Sequence, residues 1–255
     1  MKQSERLEII IDMLQKNGSV KVSELSRQMD CSEVTIRTDI RKLDEQGVLK
    51  KTYGGAVQKD EGLTVSFSPG EFFLNGTEKQ RIIQKAYEYI ENRNSIIIDD
   101  STTGCYLAKY IKEHPEKHLI VVTNSLYAAA ILSSAKHVEL FVVGGQPVGT
   151  PPSTLDSFAI QAFRNFNVDK AFVGVNGINL KAGLTSIGTP QMETKRAIIK
   201  SAGQTYVIAD SSKFGSSNLF TVCPMSDVHL IITDNKISKE LLQTAQKSQI
   251  PIVTV

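Results

Sequence analysis

From Glu78 onward the chain repeats one pattern: a short run rich in Val, Ile and Phe, a polar turn, then a segment whose apolar residues recur at helical spacing. The apolar runs fall at 95–99, 119–122, 138–143, 170–175, 205–209, 228–232 and 250–255. The helical segments between them fall at 79–90, 104–112, 125–132, 156–165, 191–202 and 238–247. Strands this apolar bury both faces, which requires helices on both sides of a mainly parallel sheet. The pattern predicts an open three-layer α/β domain over 78–255. A chain of 255 residues, 41% hydrophobic and 22% charged, holds one such domain and a smaller module besides.

That smaller module is written in residues 1–58. Val22, Leu25 and Met29 share one face of a short helix, and Asp30-Cys31-Ser32 breaks the pattern with residues suited to a turn and an N-cap. A second helix follows, with Val34, Ile36, Ile40 and Leu43 expected to pack inward. Its outward residues are then Glu33, Thr35, Arg37, Thr38, Arg41 and Lys42, the groups a helix needs in order to read a DNA groove. Gly47 is expected to end this helix, and 48–51 and 52–57 to form two short strands around Lys50, Lys51 and Tyr53. Upstream, Leu7, Ile10, Ile11 and Leu14 predict a supporting helix that Asn17-Gly18 terminates. The outline is a winged helix-turn-helix. Its charge is balanced, eleven Lys or Arg against ten Asp or Glu over residues 1–60. Phosphate affinity must therefore come from the cluster Arg37, Arg41, Lys42, Lys50 and Lys51, and will be strongly salt-dependent.

Between the two, residues 59–77 lose periodicity and read as a connector, which Phe67, Phe72 and Phe73 predict to be ordered against the second domain. Cys31, Cys105 and Cys223 are odd in number and widely separated, which argues against a disulfide framework or a zinc site. His114, His118, His137 and His229 show no ligand spacing, so no metal ion or cofactor is expected. The N-terminus is a charged amphipathic segment, and no apolar run approaches the roughly 20 residues a membrane span requires. A cytoplasmic protein is expected.

In an open parallel sheet a ligand binds beyond the carboxyl ends of the strands. Several of those ends are conspicuous here: Asp99-Asp100-Ser101-Thr102-Thr103-Gly104, Thr123-Asn124-Ser125, Gly144-Gly145, Gly174-Val175-Asn176-Gly177 and Asp210-Ser211-Ser212-Lys213. Taken singly, each is an ordinary cap or turn. Their shared position predicts a polar, phosphate-accepting pocket, with hydroxyls and backbone N–H groups gathered at a helix N-terminus.

Thr35-Ile36-Arg37, with Asp39, Leu43, Gly47 and Tyr53-Gly54-Gly55-Ala56, resembles the N-terminal domain of DeoR-type bacterial transcriptional regulators, which mostly repress sugar-catabolism operons. Thr38 stands where such proteins commonly carry a second arginine. The remainder resembles the same family's effector domain, similar in fold to ribose-5-phosphate isomerase. The matching residues are Asp99 with Thr102-Thr103, Val122 to Ser125, Gly144-Gly145, Asp169 to Phe172, Gly174 with Gly177-Ile178, Gly183 to Thr185, Glu193 with Lys195, Asp210 with Ser212 to Gly215, and Ile232 to Asp234. Ser101 and Asp156 stand where relatives usually have glycine. Asp156 reads as an N-cap.

The resemblance implies a regulator whose partners are double-stranded operator DNA and a phosphorylated sugar or polyol. Two half-sites imply a homodimer or homotetramer. Thr35, Arg37 and Thr38 are expected to face base edges, and Ser32, Arg41, Lys42 and Lys51 to hold DNA phosphates. In the pocket, Ser101, Thr102, Thr103 and Lys213 are expected to hold the effector phosphate. Asp99, Asn124, Asn176, Glu193 and Lys195 are expected to meet sugar hydroxyls, with Gly144 and Gly145 admitting the ligand to the backbone. The alternative is a working sugar-phosphate isomerase, which needs a carboxylate base beside the substrate carbon. The stretch Val173-Gly174-Val175-Asn176-Gly177 contains none, which leaves Asp99, Asp100 and Glu193 as the nearby candidates, and no enzymatic activity is expected.

Overall fold

The computed structural model describes residues 3–45, 48–57, 74–149 and 151–255. The chain divides into two compact units, Met1–Gly76 and Thr77–Val255.

In the first unit, α1 (Gln3–Asn17) stops where Gly18 turns to φ 71° and its N–H closes onto the Leu14 carbonyl at 2.8 Å. A short strand β1 (Ser19–Lys21) leads into α2 (Val22–Met29). That helix ends on Asp30 in the left-handed region, a conformation a short polar side chain tolerates. Ser32 Oγ then accepts the Thr35 N–H at 3.1 Å and starts α3 (Glu33–Glu45). Leu7, Ile10, Ile11, Leu14, Leu25, Ile36, Ile40 and Leu43 form the core. Val34 does not pack inward as its apolar character suggests: it is 73% exposed at the head of α3. Asp39 occupies an inward position, because Arg6 on α1 neutralises it there and Gln3 donates a further hydrogen bond to it. The wing strands β2 (Lys50–Lys51) and β3 (Gly55–Val57) join β1 in a three-stranded antiparallel sheet, order β1-β3-β2. A Cβ on Gly55 would fall 1.8 Å from the Val20 carbonyl oxygen, so only glycine lets the wing lie against β1. The expected helix stop at Gly47 and the aromatic connector residues Phe67, Phe72 and Phe73 lie outside the described residues. Leu74 packs on the core of the first unit.

The second unit is a seven-stranded parallel sheet. Its strands are β4 (Ser95–Ile98), β5 (Leu119–Thr123), β6 (Val138–Val142), β9 (Val168–Val173), β12 (Ala202–Ile208), β14 (Leu230–Thr233) and β15 (Ile252–Thr254), in the order β15-β14-β12-β9-β4-β5-β6. Alternate residues serve opposite cores. Ile96, Ile98, Val121 and Phe172 face α4 (Gly76–Glu88), α5 (Thr102–Glu113) and α6 (Leu126–Leu132), while Ile97, Val122, Ala171 and Val173 face α7 (Ser157–Phe163) and α8 (Thr189–Lys200). On that second side the partly buried Leu241 and Leu242 of α9 (Lys239–Lys247) complete the layer. The expected three layers are present.

Two small β elements have no counterpart in the apolar pattern. A ribbon of β7 (Pro147–Val148) and β8 (Ser153–Thr154) lies against the strand ends. A three-stranded antiparallel sheet, β10 (Gly177–Asn179), β11 (Gly183–Ser186) and β13 (Phe220–Cys223), follows β9. Going outward from β4, the chain order runs one way through β5 and β6 and the other way through β9, β12, β14 and β15. The reversal between β4 and β9 opens a crevice at their carboxyl ends.

Candidate DNA-reading surface and effector site

On α3, Val34, Arg37, Thr38 and Arg41 are all exposed and follow one another at helical spacing, so they form a single stripe. Arg37 Nη2 is held 2.9 Å from Glu33 Oε2, and the Thr38 hydroxyl donates to the Val34 carbonyl at 2.9 Å. Thr35 and Lys42 are half-buried at the flank, with Lys42 Nζ 3.1 Å from Gln3 Oε1. The Ser32 hydroxyl is engaged as the cap and lies 2.8 Å from Thr35 Oγ1. Lys51 leaves its side chain exposed on the wing, its backbone N–H anchored to Asp44 Oδ1 at 2.9 Å. Val34 is the stripe residue that apolar patterning hides, because nothing in the sequence distinguishes it from a core position.

At the β4/β9 crevice the centre is Asp99, fully buried. Its Oδ1 accepts the N–H and hydroxyl of Ser101, and its Oδ2 accepts the Gly174 N–H at 2.9 Å and Lys195 Nζ in a very short contact. Both oxygens are therefore filled. Lys195 comes from α8 and is itself 3% exposed. Burial alone would lower its pKa, but Asp99 and Asp100 outweigh that and hold it raised. Asp100 lies next to Asp99 with Oδ1 3.6 Å from Lys195 Nζ and Oδ2 accepting the Ser153 hydroxyl at 3.1 Å. Burial, reinforced by Asp99 and opposed by Lys195, pushes the Asp100 carboxyl up from its ordinary range.

Ser101 Oγ caps α5 by accepting the Gly104 N–H at 3.0 Å, so its hydroxyl serves the fold on both sides. Thr102 and Thr103 follow it, both buried, in the first turn of α5. At the end of β5, Asn124 Nδ2 donates to the Thr154 carbonyl at 2.9 Å, tying it to the β7–β8 ribbon. Gly144 has open space around its α-carbon. Gly145, at φ 147°, is needed because a Cβ would meet the Asp156 carboxylate at 2.6 Å. Asp156 caps α7 through the Ala159 N–H and also accepts the Gln146 N–H at 2.6 Å, which together lower its pKa.

Beyond β9, Ser216 Oγ lies within reach of both the Asn176 and Lys213 carbonyls, at 3.4 and 3.0 Å, which brings the Lys213 loop beside Asn176. Asn176 Oδ1 accepts the Ser186 hydroxyl at 3.3 Å. Glu193 is a correction: it is not gathered with the others. It sits on the outer face of α8, 3.2 Å from Arg196 Nη1, and Arg196 is pinned to the Thr221 and Val222 carbonyls of β13. The α8 residues that do share the Lys195 face include Gln191. Its identity carries no signal in the sequence, and only its position one turn before Lys195 points to it. Ser153 likewise escapes the sequence reading as a site residue, because it lies on a ribbon that has no apolar pattern.

A winged helix-turn-helix unit followed by an open parallel α/β unit with a polar strand-end site defines a DNA-binding transcriptional regulator with a separate sensor unit. The chain belongs to the DeoR family: residues 6–61 match the DeoR-like helix-turn-helix domain, and residues 74–235 match the DeoR C terminal sensor domain. It is 33% identical over 97% of both chains to the HTH-type transcriptional regulator GolR of Listeria innocua. It is 32% identical to the putative aga operon transcriptional repressor of Escherichia coli O157:H7, covering 99% of this chain and 94% of that one. The glycerol-3-phosphate regulon repressor of Escherichia coli K12 is 28% identical over 92% of each. Among solved structures, a ribose 5-phosphate isomerase from Methanocaldococcus jannaschii aligns with 53% of each chain at 14% identity and a TM-score of 0.40. Among the described residues no helix is long and apolar enough to cross a membrane.

Proposed function

We propose that this chain is a cytoplasmic repressor of a sugar or polyol catabolic operon, and that a phosphorylated sugar bound in the sensor unit sets its affinity for the operator. The observation that carries this reading is the buried Asp99–Lys195–Asp100 group at the β4/β9 crevice. Charged side chains removed from water at a topological switch point are arranged for a polar ligand. The phosphate meets Lys213, with Thr102 and Thr103 at its side, and the hydroxyl groups meet Asn124, Asn176 and Lys195. On DNA, Arg37 and Thr38 read base edges while Arg41, Lys42 and Lys51 hold phosphates. The exposed Val34 suits a thymine methyl group. Two copies of the reading unit engage two half-sites, so the working protein is a homodimer or homotetramer.

The site binds without turnover. Of the two carboxylates here, Asp99 is saturated by four donors and is not available as the base of an enediol isomerisation, while the reading of Asp100 as a binding group rests on the transcriptional regulators this chain resembles.

The test is fluorescence anisotropy on DNA from upstream of the protein's own operon, at fixed salt, with and without phosphorylated sugars. Saturable, competitor-resistant binding that one phosphosugar shifts by about tenfold, or about 1.4 kcal/mol of coupling, is the expected result. Absence of specific DNA binding under every condition would overturn the reading.

A further inference from the structure

Three buried acceptor atoms around the crevice have no hydrogen-bond donor among the described residues: Asp100 Oδ1, Asn124 Oδ1 and Gln191 Oε1. The residues that carry them are 1%, 0% and 6% exposed. Native proteins seldom leave such atoms unmatched, and each one calls for a partner from outside the chain or a functional role.

These acceptors are connected. Asp100 Oδ1 lies 3.6 Å from Lys195 Nζ, and Gln191 stands one helical turn before Lys195 on the same buried face of α8. Asp100 Oδ2 takes the Ser153 hydroxyl, and the next residue, Thr154, takes the Asn124 amide on its carbonyl. That second bond fixes which way Asn124 Oδ1 points. Asp99, by contrast, has both oxygens filled by Ser101, Gly174 and Lys195. Of the adjacent carboxylates, Asp99 holds the frame, and Asp100 keeps an oxygen available.

We propose that Asp100, Asn124 and Gln191 read the hydroxyl end of the effector, each accepting an O–H of a polyol chain, while Lys195 donates to a hydroxyl oxygen among them. This rests on the sugar-phosphate reading given above. Three acceptors grouped with one cation call for a ligand rich in hydroxyl donors at this end. A carboxylate here repels a phosphate, so the ligand lies with its phosphate toward Lys213 and its hydroxyls toward Asp100. Asp100 and Gln191 thereby become specificity-determining residues.

Isothermal titration of the full chain with glucitol 6-phosphate, hexyl phosphate and inorganic phosphate tests this. The first two share six carbons and a phosphate and differ in their hydroxyls. The wild-type chain is expected to prefer glucitol 6-phosphate over hexyl phosphate by roughly tenfold or more, since a site built for hydroxyls rejects analogues lacking them. Asp100→Asn and Gln191→Leu are each expected to shrink that preference by roughly fivefold while leaving affinity for hexyl phosphate within about twofold. Variants that keep the full preference, or lose affinity for both organic phosphates alike, would overturn the assignment. Equal wild-type affinity for the two would also overturn it while leaving a phosphate site standing. A wild-type chain that binds none of the three removes the sugar-phosphate reading and this inference together. Should Asp100→Asn lose its cooperative melting transition, Gln191→Leu alone decides.

Discussion

Arg6 Nε on α1 lies 2.7 Å from Asp39 Oδ2 on the reading helix, and the Asp39 side chain is 1% exposed. Gln3 Nε2 and Arg6 Nη2 add contacts to Oδ1 at 2.9 and 3.4 Å. A carboxylate on the inward face of an otherwise apolar stripe is tolerable only while these donors remain. Arg6→Ala is therefore expected to destabilise the first unit by about 3 kcal/mol, because it leaves a buried charge without its partner. Urea unfolding followed by helical circular dichroism measures it, and a loss well under 1 kcal/mol would show the pair to be incidental.

Arg37 is exposed and lies on the same stripe as Val34, Thr38 and Arg41. Arg37→Ala is expected to weaken operator binding by about 1–3 kcal/mol and to relax sequence preference at one base pair. Competition binding against single-base operator variants reads both effects. A loss that is equal on every sequence would make Arg37 a phosphate contact.

A Cβ built on Gly174 falls 2.3 Å from the Ser101 Cβ and 2.6 Å from its Oγ. Gly174→Ala should thus destabilise the sensor unit by about 2 kcal/mol through overpacking. Ser101→Gly alone removes the α5 side-chain cap, worth a few tenths of a kcal/mol when glycine replaces serine, and the hydroxyl bond to Asp99 Oδ1, worth about 1 kcal/mol more. Combined, the two are expected to cost less than their sum by on the order of 1 kcal/mol, since the glycine removes the clash. Thermal melts of the four proteins complete the cycle, and strict additivity would show that the backbone shifts instead.

The Asp156 carboxylate is held below its usual pKa by the N–H groups of Gln146 and Ala159. An acid whose pKa falls on folding stabilises the fold above the ordinary carboxylate range, and that contribution disappears as pH drops through the depressed value. Asp156→Ala is expected to cost about 1 kcal/mol near neutral pH, as lost caps do, and progressively less in acid. Asp156→Asn should keep most of the cap and lose the pH dependence. Melting temperatures across an acid series distinguish the three proteins.

Lys213→Ala is expected to leave operator affinity in the absence of ligand within about twofold while reducing the shift that a phosphosugar produces by tenfold or so. Anisotropy titrations of the variant and the parent settle it, and an unaltered response would remove Lys213 from the phosphate seat.

Periodicity reported the regular parts of this molecule well. All seven strands of the large sheet and the helices between them stand within a few residues of where apolar spacing puts them, since each must bury a face. Outside the wing, what periodicity could not report was structure held by polar pairing or by very short strands. The β7–β8 ribbon pairs two residues a side, and β1 is three residues long, too few for alternation to show. Val34 is exposed against expectation, and Asp39 is buried because an ion pair with Arg6 overrides hydropathy there. At the site, strand ends point to Asp99, Asn124 and Asn176, whereas Lys195 stands on α8 and is singled out only by the family resemblance. Glu193 instead pairs with its neighbour Arg196, which donates to the carbonyls of β13, a strand distant in sequence that helical spacing does not reveal.

Because β1 is laced between α1 and α2 and pairs along its whole length with β3, the wing is stitched into the same fabric as the helices it accompanies. Through β1 the wing and the helices on either side of that strand share one hydrogen-bonded frame. A load placed on the wing is therefore carried through β1 into α1 and α2 instead of being taken up by the wing alone.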